Sequence, residues 1–382
     1  MTKPNNQIPK GWKDVLLNDV CLIIMGQSPL SSSYNTEGNG TPLIQGNTDM
    51  NNRLSAPRQW TTEITKTCNP NDILMSVRAP VGDIALSIHN ACIGRGVCAI
   101  RATKSNQSYI YQYLLRYELR WKKYEQGSTF TAVNSSDIKK LKFCMPPLPE
   151  QKAIAQVLTN FDEGIDLLTK KIDLLKDRKK GLMQQLLTGK TRLKGFSGEW
   201  EEKRIKEFSS ICTGAKDTQN KIDDGLYPFF VRSQTIERIN SYSFDGEAVI
   251  TSGDGVGVGK IFHYINGKFD YHQRVYNIHS FDVDVCGKWF FFIFKSKFPK
   301  RVFSMSAKGS VDSVRMEMIA DMKIKIPCLM EQKAIAQVLT DADEEIDLYE
   351  QKLKKTQKQK KFLLNKLVTG EIRMQEFRNA DN

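Results

Sequence analysis

The decapeptide Glu150–Thr159, EQKAIAQVLT, returns unchanged as Glu331–Thr340, 181 residues later. At the same offset, residues 150–193 and 331–374 agree at 23 of 44 positions and end in matched LLTG (Leu186–Gly189) and LVTG (Leu367–Gly370). Ile154, Leu158, Phe161, Ile165, Leu168, Ile172, Leu175, Leu182 and Leu186 recur at alternating steps of four and three, the seam of a coiled coil. Ile335, Leu339, Ala342, Ile346, Tyr349, Leu353, Leu363 and Leu367 repeat the seam in the second copy. Pro149 precedes the first stretch, and Gly189 and Gly370 stand where a left-handed C-terminal cap is wanted. About 40 residues at 1.5 Å each make a rod of roughly 60 Å, too long for the inside of one compact domain. The pattern predicts one long helix used twice, each spanning a gap between domains. Lys179 and Lys360 occupy equivalent seam positions, and Thr356 adds a polar one in the second copy. Such residues either fix register at a cost in stability or mark a place where the helices splay.

The 382 residues suggest two or three domains. Fifty-six basic against 43 acidic residues give a net charge of +13 and a pI near 9.2. That balance favours a polyanionic partner, nucleic acid before an acidic protein or a membrane. The opening MTKPNNQIPKGW does not resemble a signal peptide, and no apolar run approaches a membrane span of roughly 18–20 residues. A cytoplasmic location is expected. Cys21, Cys68, Cys92, Cys98, Cys144, Cys212, Cys286 and Cys328 form no CxxC pair and are expected as reduced core or half-buried thiols. His263, His272 and His279 have no zinc-like neighbours and read as strand or surface residues; no metal site is expected.

Working outward, Gly11 to Cys144 reads as short strands and turns with one late helix. Val15, Leu17, Val20 and Ile23 lead into the turn Gly26-Gln27-Ser28-Pro29, and Thr41–Asn47 is a strand followed by a turn. Asp72–Val77 is a strand leading into the loop Arg78–Gly82, and Tyr113, Leu114, Tyr117 and Trp121 have helical spacing. Glu199 to Ile326 repeats the plan. Trp12, Leu17, Val20, Ile23 and Gly26 correspond to Trp200, Ile205, Phe208, Ile211 and Gly214; Asp72, Val81 and Gly82 to Glu247, Val256 and Gly257; Val97 and Ile100 to Val275 and Ile278. Before each long helix, Ile138, Leu141, Phe143 and Pro146 match Ile319, Met322, Ile324 and Pro327. The aromatic run Trp289–Phe294 looks like a buried strand alone, but its helical counterpart makes it part of a helix whose aromatics belong to a core. The expected class is α+β. Two globular modules (1–145 and 193–327) alternate with two long helices (146–192 and 328–374), and a short tail (375–382) follows.

Motifs that would signal catalysis fail on inspection. Ser252–Lys260, SGDGVGVGK, has Asp254 where a phosphate loop needs its first glycine, and Ile261 follows the lysine. Its glycines read as a tight turn between strands. No dinucleotide fingerprint, methyltransferase tetrapeptide, nucleophile triad or paired-carboxylate arrangement can be identified, so any chemistry is expected to belong to a partner.

Module, helix, module, helix, with Pro146-Pro147-Leu148-Pro149-Glu150-Gln151 and Leu186–Gly189 framing the first helix and Glu331-Gln332 and Leu367–Gly370 the second, resembles the specificity subunit of type I restriction-modification systems. The resemblance covers nearly the whole chain. It departs at the second lead-in, Ile326-Pro327-Cys328-Leu329-Met330, which lacks the paired prolines. It implies two target-recognition domains that read the halves of an asymmetric split DNA sequence, held apart by helices packed antiparallel. It also implies two modification subunits that methylate adenine with S-adenosylmethionine, and restriction subunits that translocate and cleave DNA with ATP and magnesium. This chain would then choose the site and catalyse nothing. A stand-alone DNA-binding regulator with two recognition domains is the alternative, and a coiled-coil adaptor would leave the basic modules unexplained.

Base readout needs hydrogen-bonding side chains on loops, with cations on phosphates. The candidates are Gln27, Ser28, Asn47, Arg78 and Arg95 in the first module, and Lys216, Arg232, Gln234, Lys260, Gln273 and Arg274 in the second. Lys352–Lys366, with seven lysines and no acid, reads as a solvated face or a docking surface before a DNA stripe.

Overall fold

The computed structural model describes residues 8–127, 133–306 and 313–378; the start of the chain and the end of its tail lie outside these ranges. The chain divides into two compact units, residues 1–169 with 352–382, and residues 170–351. Each unit therefore holds one module and a length of both long helices.

Those helices run from Leu148 to Leu186 and from Leu329 to Leu367, 39 residues each. The missing proline at the second lead-in shifts nothing, because Gln151 and Gln332 each donate 2.8 Å hydrogen bonds to the carbonyls of Pro146 and Pro327. Gly189 and Gly370 both have positive φ, +69° and +70°, and end the helices as the spacing predicts. The named seam residues are all buried or half-buried.

Within each unit the pairing is antiparallel. In the first, Glu150 meets Arg373 and Asp162 meets Lys360; in the second, Lys176 meets Glu350 and Lys179 meets Asp343. The two seam lysines are thus neither splayed apart nor unpaired. Lys179 and Lys360 are each only 13% exposed and end on an aspartate of the opposite helix. The aspartates are themselves repeat-related, so the same ion pair occurs in each unit with the helices exchanged. Thr356 is half-buried and bonds the Lys352 carbonyl of its own helix.

The repeated decapeptide keeps its sequence because both copies do the same work. Glu150, Gln151, Ile154, Ala155 and Leu158 are buried, as are Glu331, Gln332, Ile335, Ala336 and Leu339. The apolar members join the module core, which in the first unit also takes Leu367 and Val368, and in the second Leu186 and Leu187. The glutamine carbonyls accept the backbone N–H of Asn106 (2.8 Å) and Cys286 (2.7 Å), fixing the start of each module helix. Buried Glu150 accepts from the Trp12 indole (3.0 Å) and twice from Arg373 (3.0 and 2.8 Å). Glu331 takes a fork from Arg192 (2.5 and 2.6 Å), whose guanidinium lies over the Trp200 ring.

Each module enters and leaves through a two-stranded antiparallel ladder, Lys13–Leu16 with Lys142–Met145 and Glu201–Arg204 with Lys323–Ile326. In the first module, a six-stranded sheet (Cys21–Met25, Val97–Ala102, Ile73–Ser76, Ile84–Leu86, Leu54–Ser55, Met50–Asn51) accompanies a five-stranded one. The second has one six-stranded sheet, ordered Ser210–Thr213, Val275–His279, Phe244–Ser252, Phe262–Tyr271, Tyr227–Phe230 and Glu237–Ile239. The module helices are Gln107–Gly127 and Gly287–Ser306. Trp289, Phe290, Phe292, Phe294 and Phe298 are buried, so this aromatic run is helix and core.

Several details differ from the sequence reading. Leu17–Val20 forms a single helical turn between two strands, because Leu17 and Val20 bury on one side. Ile73 stands opposite Ile100 while Val249 stands opposite Ile278. The two central strands therefore correspond one residue away from the alignment, and Asp72 is not the counterpart of Glu247. Accordingly Asp72 holds Arg101 (2.7 Å twice), whereas Glu247 accepts from the Tyr264 hydroxyl (2.7 Å). Cys328 is exposed rather than half-buried. No helix of the described residues is long and apolar enough to cross a membrane.

Two outcomes are expected in denaturant unfolding. Glu150→Ala removes a buried acceptor of three hydrogen bonds and lowers the stability of the first unit by about 3 kcal/mol. Asp162→Ala costs about 1 kcal/mol, and the charge-swapped pair Asp162→Lys with Lys360→Asp recovers most of it, because the pair is half-open to solvent.

Candidate nucleic-acid interface

In the first module, four loops meet at one edge: those after Cys21–Met25, after Thr41–Ile44 and after Ile73–Ser76, and the turn between Ala91–Ile93 and Val97–Ala102. Backbone bonds bind them together. Gln27 N–H donates to Ile93 (2.9 Å), Gly94 to Ile44 (2.8 Å) and Val77 to Gly96 (2.9 Å), and Arg95 N–H donates to the Ser28 hydroxyl (3.1 Å). Any side chain at Gly96 would put its Cβ 2.1 Å from the Gln45 carbonyl oxygen, so the approach of these loops requires glycine there.

The result is a polar hollow of about 230 Å³ lined by Ser28, Gln45, Asn47, Arg78 and Arg95, among others. Four of the five candidates from this module line it, and Gln27 is exposed on the same loop as Ser28. Arg78 and Arg95 are exposed and have no ion pair among the described residues. Asn47 donates to Asp83 at 3.4 Å. The sequence reading missed Arg58, held beside this edge by Asp49 (2.9 Å) and Thr48 (2.8 Å).

The second module joins the corresponding loops by the same backbone pattern. His272 N–H donates to Phe230 (2.9 Å), Gln273 to Lys216 (2.8 Å) and Gly253 to Arg274 (2.8 Å). Lys216, Arg232, Gln273 and Arg274 are thereby brought together, and Gln234 and Lys260 lie exposed on the same loops. Gln273 donates to Asp217 (3.2 Å), while Arg232 and Arg274 both reach Asp254. Asp254 and Val256, the latter 92% exposed at the loop tip, stand in the sequence as a failed phosphate-loop position and as the counterpart of Val81, and neither is among the contact candidates. That run is a turn between the strands Phe244–Ser252 and Phe262–Tyr271.

His272 is buried, not a surface residue. Its Nδ1 accepts the backbone N–H of Arg274 (2.9 Å), and its Nε2 faces Asp217 at 3.8 Å. Burial, then the charge of Arg232, holds its pKa below the usual histidine value; Asp217 and Asp254 oppose the shift and Arg274 adds to it. Burial also lowers His263 and His279 in the same module.

Along Lys352–Lys366, Lys360 is tied to Asp162 and Lys366 to Glu371, and the other five lysines are exposed without an ion pair among the described residues. A hollow of about 460 Å³ in the second unit, lined in part by Lys176, Met183, Ser296, Lys300, Asp343 and Ile346, lies where both long helices meet the module helix.

The type I restriction modification DNA specificity domain matches residues 9–177 and, a second time, 197–358. The chain belongs to this family. Over 411 residues it is 25% identical to the type I restriction enzyme MjaVIII specificity subunit of Methanocaldococcus jannaschii, covering 96% of this chain and 94% of that one. It is 39% identical over 192 residues to the putative MjaX specificity subunit of the same organism, a match spanning 49% of this chain and 45% of that relative's length. Among solved structures, the type I S subunit from M. genitalium superposes with a TM-score of 0.70 at 16% identity, covering 96% of this chain and 98% of that one. A chain from a type I restriction-modification assembly gives 0.60 at 15% identity, covering 96% and 100%. The specificity-subunit family accounts for both modules and both helices, and a stand-alone regulator is not favoured.

Because the folded pKa of His272 is depressed, its contribution to stability is fully present above the ordinary histidine pKa of about 6.5 and is lost as pH falls below it. Protonating Nδ1 also breaks the Arg274 bond. Thermal unfolding from pH 7.5 to 5.5 should show the second unit weakening, and His272→Gln should flatten that dependence.

Proposed function

We propose that this chain selects the DNA target of a type I restriction-modification complex and leaves the chemistry to its partners. The first module reads one half of a split sequence and the second reads the other. The carrying observation is that four loops in each module gather hydrogen-bonding and cationic side chains at one edge: Ser28, Asn47, Arg78 and Arg95 in the first; Arg232, Gln273 and Arg274 in the second. Such side chains suit base edges and phosphates. The two edges differ residue by residue on a shared scaffold, which favours two different half-sites and hence an asymmetric target. Gln27, Lys216, Gln234 and Lys260 would add contacts from the same loops.

In this reading the two long helices act as spacer and assembly seam between the readers. Two modification subunits methylate adenine with S-adenosylmethionine, and restriction subunits cleave with ATP and magnesium. The five exposed lysines Lys352, Lys354, Lys355, Lys358 and Lys361 offer a docking surface to such partners. The chain itself contributes no catalytic group.

Base-resolution adenine-methylation mapping of the host, with and without this gene, tests the reading. A bipartite asymmetric motif should vanish on deletion; Arg78→Ala should alter one half of it and Arg274→Ala the other. An unchanged methylation pattern after deletion would sink the proposal. In binding assays, each phosphate contact removed should reduce the salt slope by about 1.

A further inference from the structure

Arg232 and Arg274 come from different loops, one after the strand Tyr227–Phe230 and the other between Phe262–Tyr271 and Val275–His279. Both end on one carboxylate. Arg232 Nη1 lies 3.0 Å from Asp254 Oδ1, and Arg274 Nη1 lies 3.3 Å from Asp254 Oδ2. Asp254 is only 15% exposed, whereas the arginine side chains are 46% and 61% exposed. The carboxylate therefore sits beneath two guanidinium groups that remain open to solvent. Its backbone is equally fixed: the Asp254 carbonyl accepts from the Ser252 hydroxyl (3.0 Å), and neighbouring Gly253 pairs with Arg274 (2.8 Å) and Val314 (2.6 Å).

A guanidinium has five N–H donors in a rigid plane, and one bond to a carboxylate leaves the rest for a second partner. Guanine presents two acceptors, N7 and O6, on its major-groove edge, a spacing that an arginine spans with two parallel bonds. A free arginine on a loop must give up rotamer freedom to make them, whereas one already held loses less. A bare acid at such a surface would otherwise repel phosphate and favour no base through these arginines.

We infer that Asp254 is a specificity-determining positioning residue that buckles Arg232 and Arg274 into a fixed pair of guanine readers, so that the half-site read by the second module contains guanine. Among the described residues of the first module no carboxylate holds two arginines: Arg78 and Arg95 lack an ion pair there, and Asp49 holds Arg58 alone. The first module's half-site is read through the polar hollow instead. This inference rests on the reading of the modules as DNA readers and names the base recognised by one of them.

The test selects bound duplexes from a randomised double-stranded library with the full chain and with Asp254→Asn, Asp254→Glu, Arg232→Ala and Arg274→Ala, each checked for an unchanged melting profile. The wild type should enrich a bipartite motif with guanine at the positions that the two arginine variants disturb. Asp254→Asn should lower guanine preference there about tenfold, the discrimination of one bidentate contact. It should leave the other half-site unchanged and leave affinity for unrelated duplex equal or raised, because a negative charge is gone. Asp254→Glu should restore part of the preference. Equal loss of specific and unrelated binding, an intact motif in Asp254→Asn, or a half-site without guanine would each overturn the inference while leaving DNA reading in place. Absence of any motif with the wild type would overturn both.

Discussion

A buried carboxylate at the start of each long helix holds this molecule together. Glu150 and Glu331 have no solvent of their own, and an ionised carboxylate in that position must be matched by a cation and by hydrogen bonds. The match comes from an arginine just beyond the end of the other helix: Arg373 for Glu150, Arg192 for Glu331. Each module therefore rests where one long helix begins and the other ends. The adjacent glutamine carries the constraint onward by fixing the first turn of the module helix. A mutation that shifted either helix along its axis would separate the charges, the glutamine bonds and the leucines below them at once.

On that frame the modules can differ. The helix-side core and the two-stranded ladder recur in both, while the far edges diverge: a polar hollow lined by the exposed Arg78 and Arg95 in one, a lattice of Asp217, His272, Arg232, Asp254 and Arg274 in the other. Both edges are built from loops clamped by backbone hydrogen bonds, so side chains can change without moving the chain that presents them. Stable geometry and variable chemistry are thus separated within a single domain.

Much of this was legible in the sequence where the physics is local. The heptad steps from Ile154 to Leu186, the glycines at 189 and 370, and the identical decapeptides each report on neighbours within a few turns. Lys179 and Lys360 were visible as polar seam residues, but their partners Asp162 and Asp343 come from another helix, and only the antiparallel register reveals them. The reader loops were visible as polar residues beside turns. Asp254 was not, because its role depends on two arginines 22 and 20 residues away that only the sheet brings together. The one-residue shift between Ile73 and Val249 had the same origin: matched residue types can mislead by one place, and only cross-strand pairing decides.

The division into compact units bears on the order of folding during synthesis. Residues 170–351 form one uninterrupted stretch, whereas the other unit needs both the beginning of the chain and residues 352–382. Leu367, Val368 and Arg373 complete the core and the buried ion pair around Trp12 and Glu150. Domains usually close from the N-terminus as they are made. Here the second unit can close from one continuous stretch, and the first must wait, with part of its apolar surface open, until Leu367, Val368 and Arg373 have followed that whole stretch out of the ribosome.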